Sequence, residues 1–213
     1  ILERNGVIPN KKVFLWLLKI TDNTRKVKSG FYNFNDTKTL FSVARKLVRG
    51  LSHKIRVTIP EGFNSLQIAA LLEEKGVVDG NKFIEIVERE KLEGYLFPET
   101  YFFEINSGGE KVVGHMRREF DRRVTPEMIE KAKTMKLSLG QLVTLASITE
   151  KEATRKDRKL ISAVFHNRLK KRMYLESCAT VLYAFGFHKE RLTYKDLRVK
   201  SPYNTYITVS YTH

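Results

Sequence analysis

The chain has 213 residues, with 39 Lys and Arg against 24 Asp and Glu, a formal net charge of +15 at pH 7. Hydrophobic residues at 42% and charged residues at 30% exclude a disordered tail and a collagen-like chain, and the length is ample for a core in one or two domains. One cysteine, Cys178, excludes an intramolecular disulfide and a zinc framework built from thiols.

The first apolar run, residues 13–18, is too short to span a bilayer, and no signal peptide opens the chain. The chain therefore reads as a soluble protein or as a piece cut from something longer. Residues 2–8 resemble residues 72–78, with Gly6 matching Gly76, and Lys12-Val13-Phe14 lines up with Lys82-Phe83-Ile84. Each copy predicts the end of a helix, a glycine stop, a short apolar segment and a second helix. Before the second copy, residues 55–59 alternate like a strand, Pro60-Glu61-Gly62 turns the chain, and Asn64 or Ser65 caps a helix over about 66–75. The first copy lacks this lead-in, so residues upstream of Ile1 are expected to have been removed. Residues 30–34 read as a further strand. Asp36 or Thr37 then opens a helix that presents Leu40, Val43, Ala44 and Leu47 and stops at Gly50. The first 90 residues are thus α+β, built of small strand–helix units.

From residue 91 the composition shifts. Residues 92–103 are dense in aromatics around Gly94 and Pro98; Pro98 forbids one continuous helix, so the segment reads as a turn into a short strand. Its aromatics are core, or a wall that can stack on sugar rings with Glu99 beside it. Beyond Glu110 the pattern is helical. Val112, Val113, Met116 and Phe120 share a face, and Thr125-Pro126 starts a helix. Ser138 and Gln141 form a capping box for a helix through Ala153, and a last helix over 160–169 presents Ile161, Val164, Phe165 and Leu169.

Two carboxylates in the helix after Ser138 invite comparison. At about 100° per residue, Glu150 and Glu152 lie on opposite borders of the apolar arc. Glu152 has Arg155 and Lys156 at i+3 and i+4, which predicts ordinary helix ion pairs. Glu150 has small residues one turn to either side, Ala146, Ser147, Ala153 and Thr154, and no cation flanks it at those positions on its own helix. Such a carboxyl is expected to hold a proton near neutrality and suits a general acid; the alternative is a carboxylate at the solvent border. The histidines at 53, 115, 166, 188 and 213 have no metal-ligand spacing, no glycine-rich phosphate loop is present, and neither a metal nor a cofactor is called for. The basic clusters at 117–118, 122–123, 155–159 and 168–172 suit an anionic partner, but read better as a solubilising, Lys/Glu-rich surface of the kind found in heat-adapted proteins.

Five segments in order carry a family resemblance. They are Thr58-Ile59-Pro60-Glu61-Gly62, residues 92–101 (Leu-Glu-Gly-Tyr-Leu-Phe-Pro-Glu-Thr-Tyr), residues 145–152 (Leu-Ala-Ser-Ile-Thr-Glu-Lys-Glu), Val164-Phe165-His166-Asn167-Arg168-Leu169 and Ser201-Pro202-Tyr203-Asn204-Thr205-Tyr206. The chain resembles the MltG/YceG-like endolytic murein transglycosylases of bacteria over nearly its whole length. The resemblance implies LysM-like modules over 1–90, the first truncated at its start, and a mainly helical catalytic domain over 91–213. It implies cleavage of the bond between N-acetylmuramic acid and N-acetylglucosamine, leaving 1,6-anhydro ends, with the family's catalytic glutamate landing on Glu150. It further implies that Asn204, Tyr203 and Glu99 contact the sugars, as would Glu176 and Ser177. One membrane-anchoring helix, absent from this chain, would hold the rest outside the cytoplasmic membrane, facing the cell wall. The partners implied are glycan strands and a peptidoglycan synthase, with no nucleic acid.

The sequence departs from the family at two places. Relatives commonly have Gln for Glu176 and Asp-Pro for Cys178-Ala179. The family also continues past Tyr-Asn-Thr-Tyr with a Gly-Leu-Pro-Pro-Gly-Pro-Ile stretch, so the catalytic domain is expected to be truncated at its C-terminus. A glycan-binding protein without activity is the first alternative. A basic nucleic-acid-binding protein is the second, without a readout motif to support it.

Overall fold

The computed structural model describes residues 1–37, 39–186, 189 and 191–208. His188 and His213 lie outside the described residues. The chain forms two compact units, one of residues 1–91 and 99–114, the other of 92–98 and 115–213. It is α+β: among the described residues, nine α-helices accompany one two-stranded sheet. No described helix is long and apolar enough to cross a membrane.

The first unit holds α1 (Lys11–Ile20), α2 (Leu40–Arg49), β1 (Lys54–Thr58), α3 (Ser65–Glu74), α4 (Gly80–Arg89) and β2 (Thr100–Glu104). β1 and β2 are antiparallel, with Lys54 opposite Glu104 and Thr58 opposite Thr100. Strand alternation turns Val57, Tyr101 and Phe103 inward and leaves Phe102 exposed. Helices α3 and α4 pack together between the two strands in sequence, so β1, α3, α4 and β2 form one β-α-α-β module. Asn64 caps α3 through a reciprocal box with Gln67.

The internal repeat is present down to its hydrogen bonds. Asn5, Gly6 and Val7 donate to the carbonyls of Ile1, Glu3 and Leu2 at 3.0, 3.1 and 2.9 Å; Lys75, Gly76 and Val77 donate to Leu71, Glu73 and Leu72 at 3.1, 2.8 and 2.9 Å. Gly6 (φ 67°) and Gly76 (φ 64°) take the left-handed conformation that this helix ending requires. The register expected beyond the glycines is corrected by one residue. Asn10 caps α1 and Asp79 caps α4, so Phe14 corresponds to Phe83, and Leu18 to Val87; all four apolar residues are buried. The first copy has one residue more between glycine and cap.

Two further expectations are corrected. Residues 30–34 form no strand: the main-chain bond His53 N to Phe31 O (2.7 Å) joins them to the rest, and no described strand lies alongside for a ladder. Thr39, not Asp36 or Thr37, caps α2, in a reciprocal box with Ser42. The expected face of α2 is buried: Val43, Ala44 and Leu47 share a core with Ile8, Phe14 and Leu18.

The second unit is helical. α5 (Gly109–Arg123) links the units and buries Val112, Val113, Met116 and Phe120. α6 (Pro126–Thr134) starts at the Thr125 cap with Pro at its first turn. Then come α7 (Leu139–Glu152), α8 (Arg158–Lys170), α9 (Cys178–Phe185) and a 3-10 turn, Asp196–Arg198. Leu145 and Ile148 of α7, Phe165 of α8 and Leu175 form a core, with Leu137, Ile161 and Leu169 against it. Val164, expected on this face, is exposed instead. The 92–103 segment is a turn into β2, as expected, and Leu92, Leu96, Tyr101 and Phe103 are core. Tyr95 meets Phe120 edge to face at 5.1 Å, beneath the guanidinium of Arg117.

Candidate functional site

Helix α7 positions both glutamates. Ser138 Oγ accepts from Gln141 N (3.2 Å), and Gln141 Oε1 accepts from Ser138 N (2.9 Å), which satisfies two main-chain donors at the helix start. Thr144, Ser147 and Thr149 donate their hydroxyls to carbonyls within the helix, so none competes for a ligand as a donor. Replacing Ser138 with Ala removes half of the box and is expected to cost about 1 kcal/mol, read by chemical denaturation.

Glu150 stands in an open cleft of about 560 Å³ between α7 and α8. Leu142, Leu145, Ala146 and Thr149 form the α7 side, and Arg158, Lys159, Ser162 and His166 the α8 side. Glu150 is half-buried, and its carboxylate makes no hydrogen bond or ion pair among the described residues. No cation stands one turn away from it on its own helix, as the sequence indicates; the positive charge of the cleft comes from α8. The i+4 recurrence Arg158, Ser162, His166 marks one helical face and is the sequence signal that could have found these residues.

Glu152 points elsewhere. The expected ion pairs to Arg155 and Lys156 do not form, because α7 ends at Glu152 and Ala153 is extended (φ −113°, ψ 138°), which destroys the i+3 and i+4 geometry. The Glu152 carboxylate instead accepts from Ser177 Oγ (2.5 Å) and Ala179 N (2.9 Å), capping α9 from another helix. Ser177 is buried, and its N–H donates to Thr205 Oγ1 at 3.0 Å. Thr205 and Thr180 share a hydroxyl contact of 2.9 Å, and Thr180 Oγ1 donates to Ser177 O at 2.7 Å. Glu176, left-handed at φ 53°, pairs with Arg168 at 2.9 Å; its N–H donates to Thr205 O at 3.1 Å.

Asn204 lies at the centre of the neighbouring loop and is fully buried. Its Nδ2 donates to the carbonyls of Leu197 (3.0 Å) and Val199 (2.8 Å), and its Oδ1 accepts from Tyr206 N (3.0 Å). Tyr203 is half-exposed and meets Tyr183 edge to face at 5.0 Å. The Tyr183 hydroxyl is pushed up to about 12, first by burial and then by the charge of Glu93 and by Tyr203. Burial also raises Tyr206, aided by its 3.2 Å contact with Cys178 Sγ.

The 3-10 turn that receives Asn204 is itself held by Asp196. Its carboxyl is drawn down to about 2, first by Lys189 (2.7 Å) and then by the N–H and hydroxyl of Thr193 (both 2.7 Å). A carboxyl depressed on folding stabilises at pH above its unfolded value near 4, and that contribution is lost as pH falls towards 2. Asp196→Asn is therefore expected to flatten the acid limb of thermal stability between about pH 4 and 2. A carboxyl-carbon NMR titration of the parent chain should find a midpoint near 2.

The residues expected at the site thus fall into three places. Glu176, Ser177, Tyr203 and Asn204 meet through Thr205 and its loop, a hub the sequence reading missed. Glu150 stands in the α7–α8 cleft. Glu99 belongs to the other compact unit, where its Oε1 accepts from Thr100 N at 2.9 Å and its carbonyl from Ile59 N at 3.0 Å. Among the described residues, no group of His, Cys, Asp and Glu could hold a metal ion.

Comparison with known proteins follows the same lines. The model of the YceG-like family matches residues 1–211. The endolytic murein transglycosylase of Bacillus subtilis (strain 168) is 36% identical over 97% of this chain and 64% of its own length. The endolytic murein transglycosylase of Streptococcus pneumoniae (strain D39) is 28% identical over 98% of this chain and 45% of its own. This chain therefore spans roughly half to two thirds of the curated relatives it matches. The crystal structure of a YceG-like protein from Listeria monocytogenes superposes with a TM-score of 0.62 at 32% identity, over 97% of this chain and 77% of that one.

Proposed function

The chain belongs to the YceG-like family, and we propose that it is the cleaving part of a peptidoglycan lytic transglycosylase with Glu150 as its single acid and base. One observation carries the choice of residue. Of the two glutamates ending α7, Glu152 is committed to α9, whereas Glu150 faces an open cleft with its carboxylate uncommitted. The cleft volume is of the size that takes sugar rings.

In the proposed reaction Glu150 gives its proton to the oxygen between N-acetylmuramic acid and N-acetylglucosamine as that C–O bond breaks. The resulting carboxylate takes the proton of the muramic acid C6 hydroxyl, whose oxygen closes on C1. The products are a 1,6-anhydro end and a free hydroxyl on the departing glucosamine, and water is not consumed. One carboxylate suffices because the nucleophile belongs to the substrate, unlike the carboxylate pair of most glycosidases. The intramolecular attack gains from proximity. Arg158 and Lys159 give the cleft positive charge for the carboxylates of the peptide stem, or for that of muramic acid where no stem is attached.

The other site residues divide by exposure. Tyr203, half-exposed against Tyr183, is assigned to stacking on a sugar ring. Glu176, exposed beside Arg168, is assigned to sugar hydroxyls, and Glu99 is assigned to sugar hydroxyls as well. Asn204 and Ser177 are buried with their polar atoms engaged, so their role is to hold the loop rather than to touch sugar. The β-α-α-β module and its partial repeat are read as LysM-like glycan-binding units. A membrane-anchoring helix that leaves the catalytic part facing the cell wall, and a peptidoglycan synthase as partner, complete the proposal.

The test is mass spectrometry of purified glycan strands incubated with the chain. Ends one water lighter than hydrolysis products support the proposal. Reducing ends would make the protein a hydrolase, and a second carboxylate would then be required. Binding without cleavage, also by a chain extended at its C-terminus, would leave a glycan-binding protein.

A further inference from the structure

We propose that the outer face of α1 is a docking surface for an anionic phospholipid membrane. Helix α1 has two apolar faces. Phe14 and Leu18 point into the core with Val43, Ala44 and Leu47 of α2. Val13, Trp16 and Ile20 point outward and are 48%, 64% and 61% exposed. At about 100° per residue these three share an arc of roughly 60°.

Cations border that arc on both sides. Lys12 and Lys19 flank it along α1. On the other side the half-buried Leu17 leads into a shallow groove of about 200 Å³, lined by Phe41, Ala44, Val48, Arg45 and Arg49 of α2. Phe41 is exposed, with the Arg45 guanidinium 5.2 Å from its ring centre. Among the described residues, no carboxylate lines the groove. Residues 1–50 hold eleven Lys and Arg against three Asp and Glu, a net of +8. More than half of the chain's +15 thus sits in less than a quarter of its length.

The internal repeat supplies a control. In the corrected register the positions of Val13, Trp16 and Ile20 correspond to Lys82, Glu85 and Arg89 on α4, all exposed. The same helix in the same kind of module therefore works with an ordinary charged face, and the fold does not require the apolar one. A soluble polyanion would need the cations but not Trp16 and Ile20. An apolar strip with a tryptophan between rows of basic residues matches the boundary between anionic headgroups and acyl chains.

Trp16 is the chain's one tryptophan, so its fluorescence reports on this face alone. The chain is titrated with vesicles of phosphatidylglycerol and phosphatidylcholine, and with phosphatidylcholine alone. A blue shift, and quenching by brominated acyl chains, are expected on the anionic vesicles and not on the zwitterionic ones. Lys12→Gln and Lys19→Gln should each weaken binding about fivefold. The pair Val13→Ser and Ile20→Ser should abolish the shift while circular dichroism and thermal unfolding stay unchanged, since both side chains are exposed. The proposal is overturned by no shift on anionic vesicles, or by an equal shift on phosphatidylcholine. It is also overturned by the same shift with soluble polyphosphate, or by a shift without lipid that grows with protein concentration and marks a second copy as the occupant.

Discussion

Glu150→Gln is expected to lower the release of anhydro-ended fragments by about 10²- to 10⁴-fold, the usual contribution of one general acid–base group. The amide keeps the size and polarity of the carboxyl but can neither give the proton to the leaving oxygen nor take it from the C6 hydroxyl. Both halves of the proposed reaction run through this one group, so no second residue should restore the rate. Stability should change by no more than about 0.5 kcal/mol, as for a surface substitution that removes no interaction. That expectation is specific, because the carboxylate has no hydrogen bond or ion pair among the described residues. Fragment release is measured by mass spectrometry and stability by thermal unfolding of the same preparations. Unreduced cleavage by a folded Glu150→Gln chain would remove Glu150 from the chemistry.

Local signals were legible in the sequence wherever the physics is local. The capping box at Ser138, the helix cap at Asn64, the Thr125-Pro126 start and the glycine stops at Gly6, Gly50 and Gly76 each act within one turn of backbone. Each stands where the residue pattern puts it. The open flank beside Glu150 was legible for a related reason: its neighbours one turn away on the same helix are small. What was hidden depends on distant partners. Residues 30–34 have strand-like composition, but a strand exists only beside another strand. Glu152 looked paired because i+3 and i+4 cations count only while the helix continues, and this one stops at Ala153. Arg158, Lys159 and His166 reach the cleft from α8, which no spacing along α7 can show. Motif resemblance likewise marks Asn204 as important without telling whether it faces a ligand or the interior.

Glu152→Ala should instead act through the fold. Its carboxylate is the acceptor for the buried Ser177 hydroxyl and for the Ala179 N–H at the start of α9. Ser177, the residue before that helix, makes no side-chain cap of its own, so Glu152 is the cap. Truncation leaves a buried hydroxyl without its acceptor and a first-turn donor uncapped, which should cost about 2 kcal/mol. For a chain of this size that lowers Tm by roughly 4–8 °C. Ser177 also holds Thr205 through its N–H, so the loop carrying Tyr203 should loosen with α9, and activity should fall with it. The amide separates this role from chemistry. Glu152→Gln keeps an acceptor oxygen for Ser177 and Ala179, and should retain most of both the stability and the activity. Glu150→Gln should keep the stability and lose the activity. The two amides and the Glu152→Ala chain, measured side by side, therefore give opposite patterns for an acid and for a cap. An inactive but fully stable Glu152→Gln chain, beside an active Glu150→Gln chain, would exchange the two assignments.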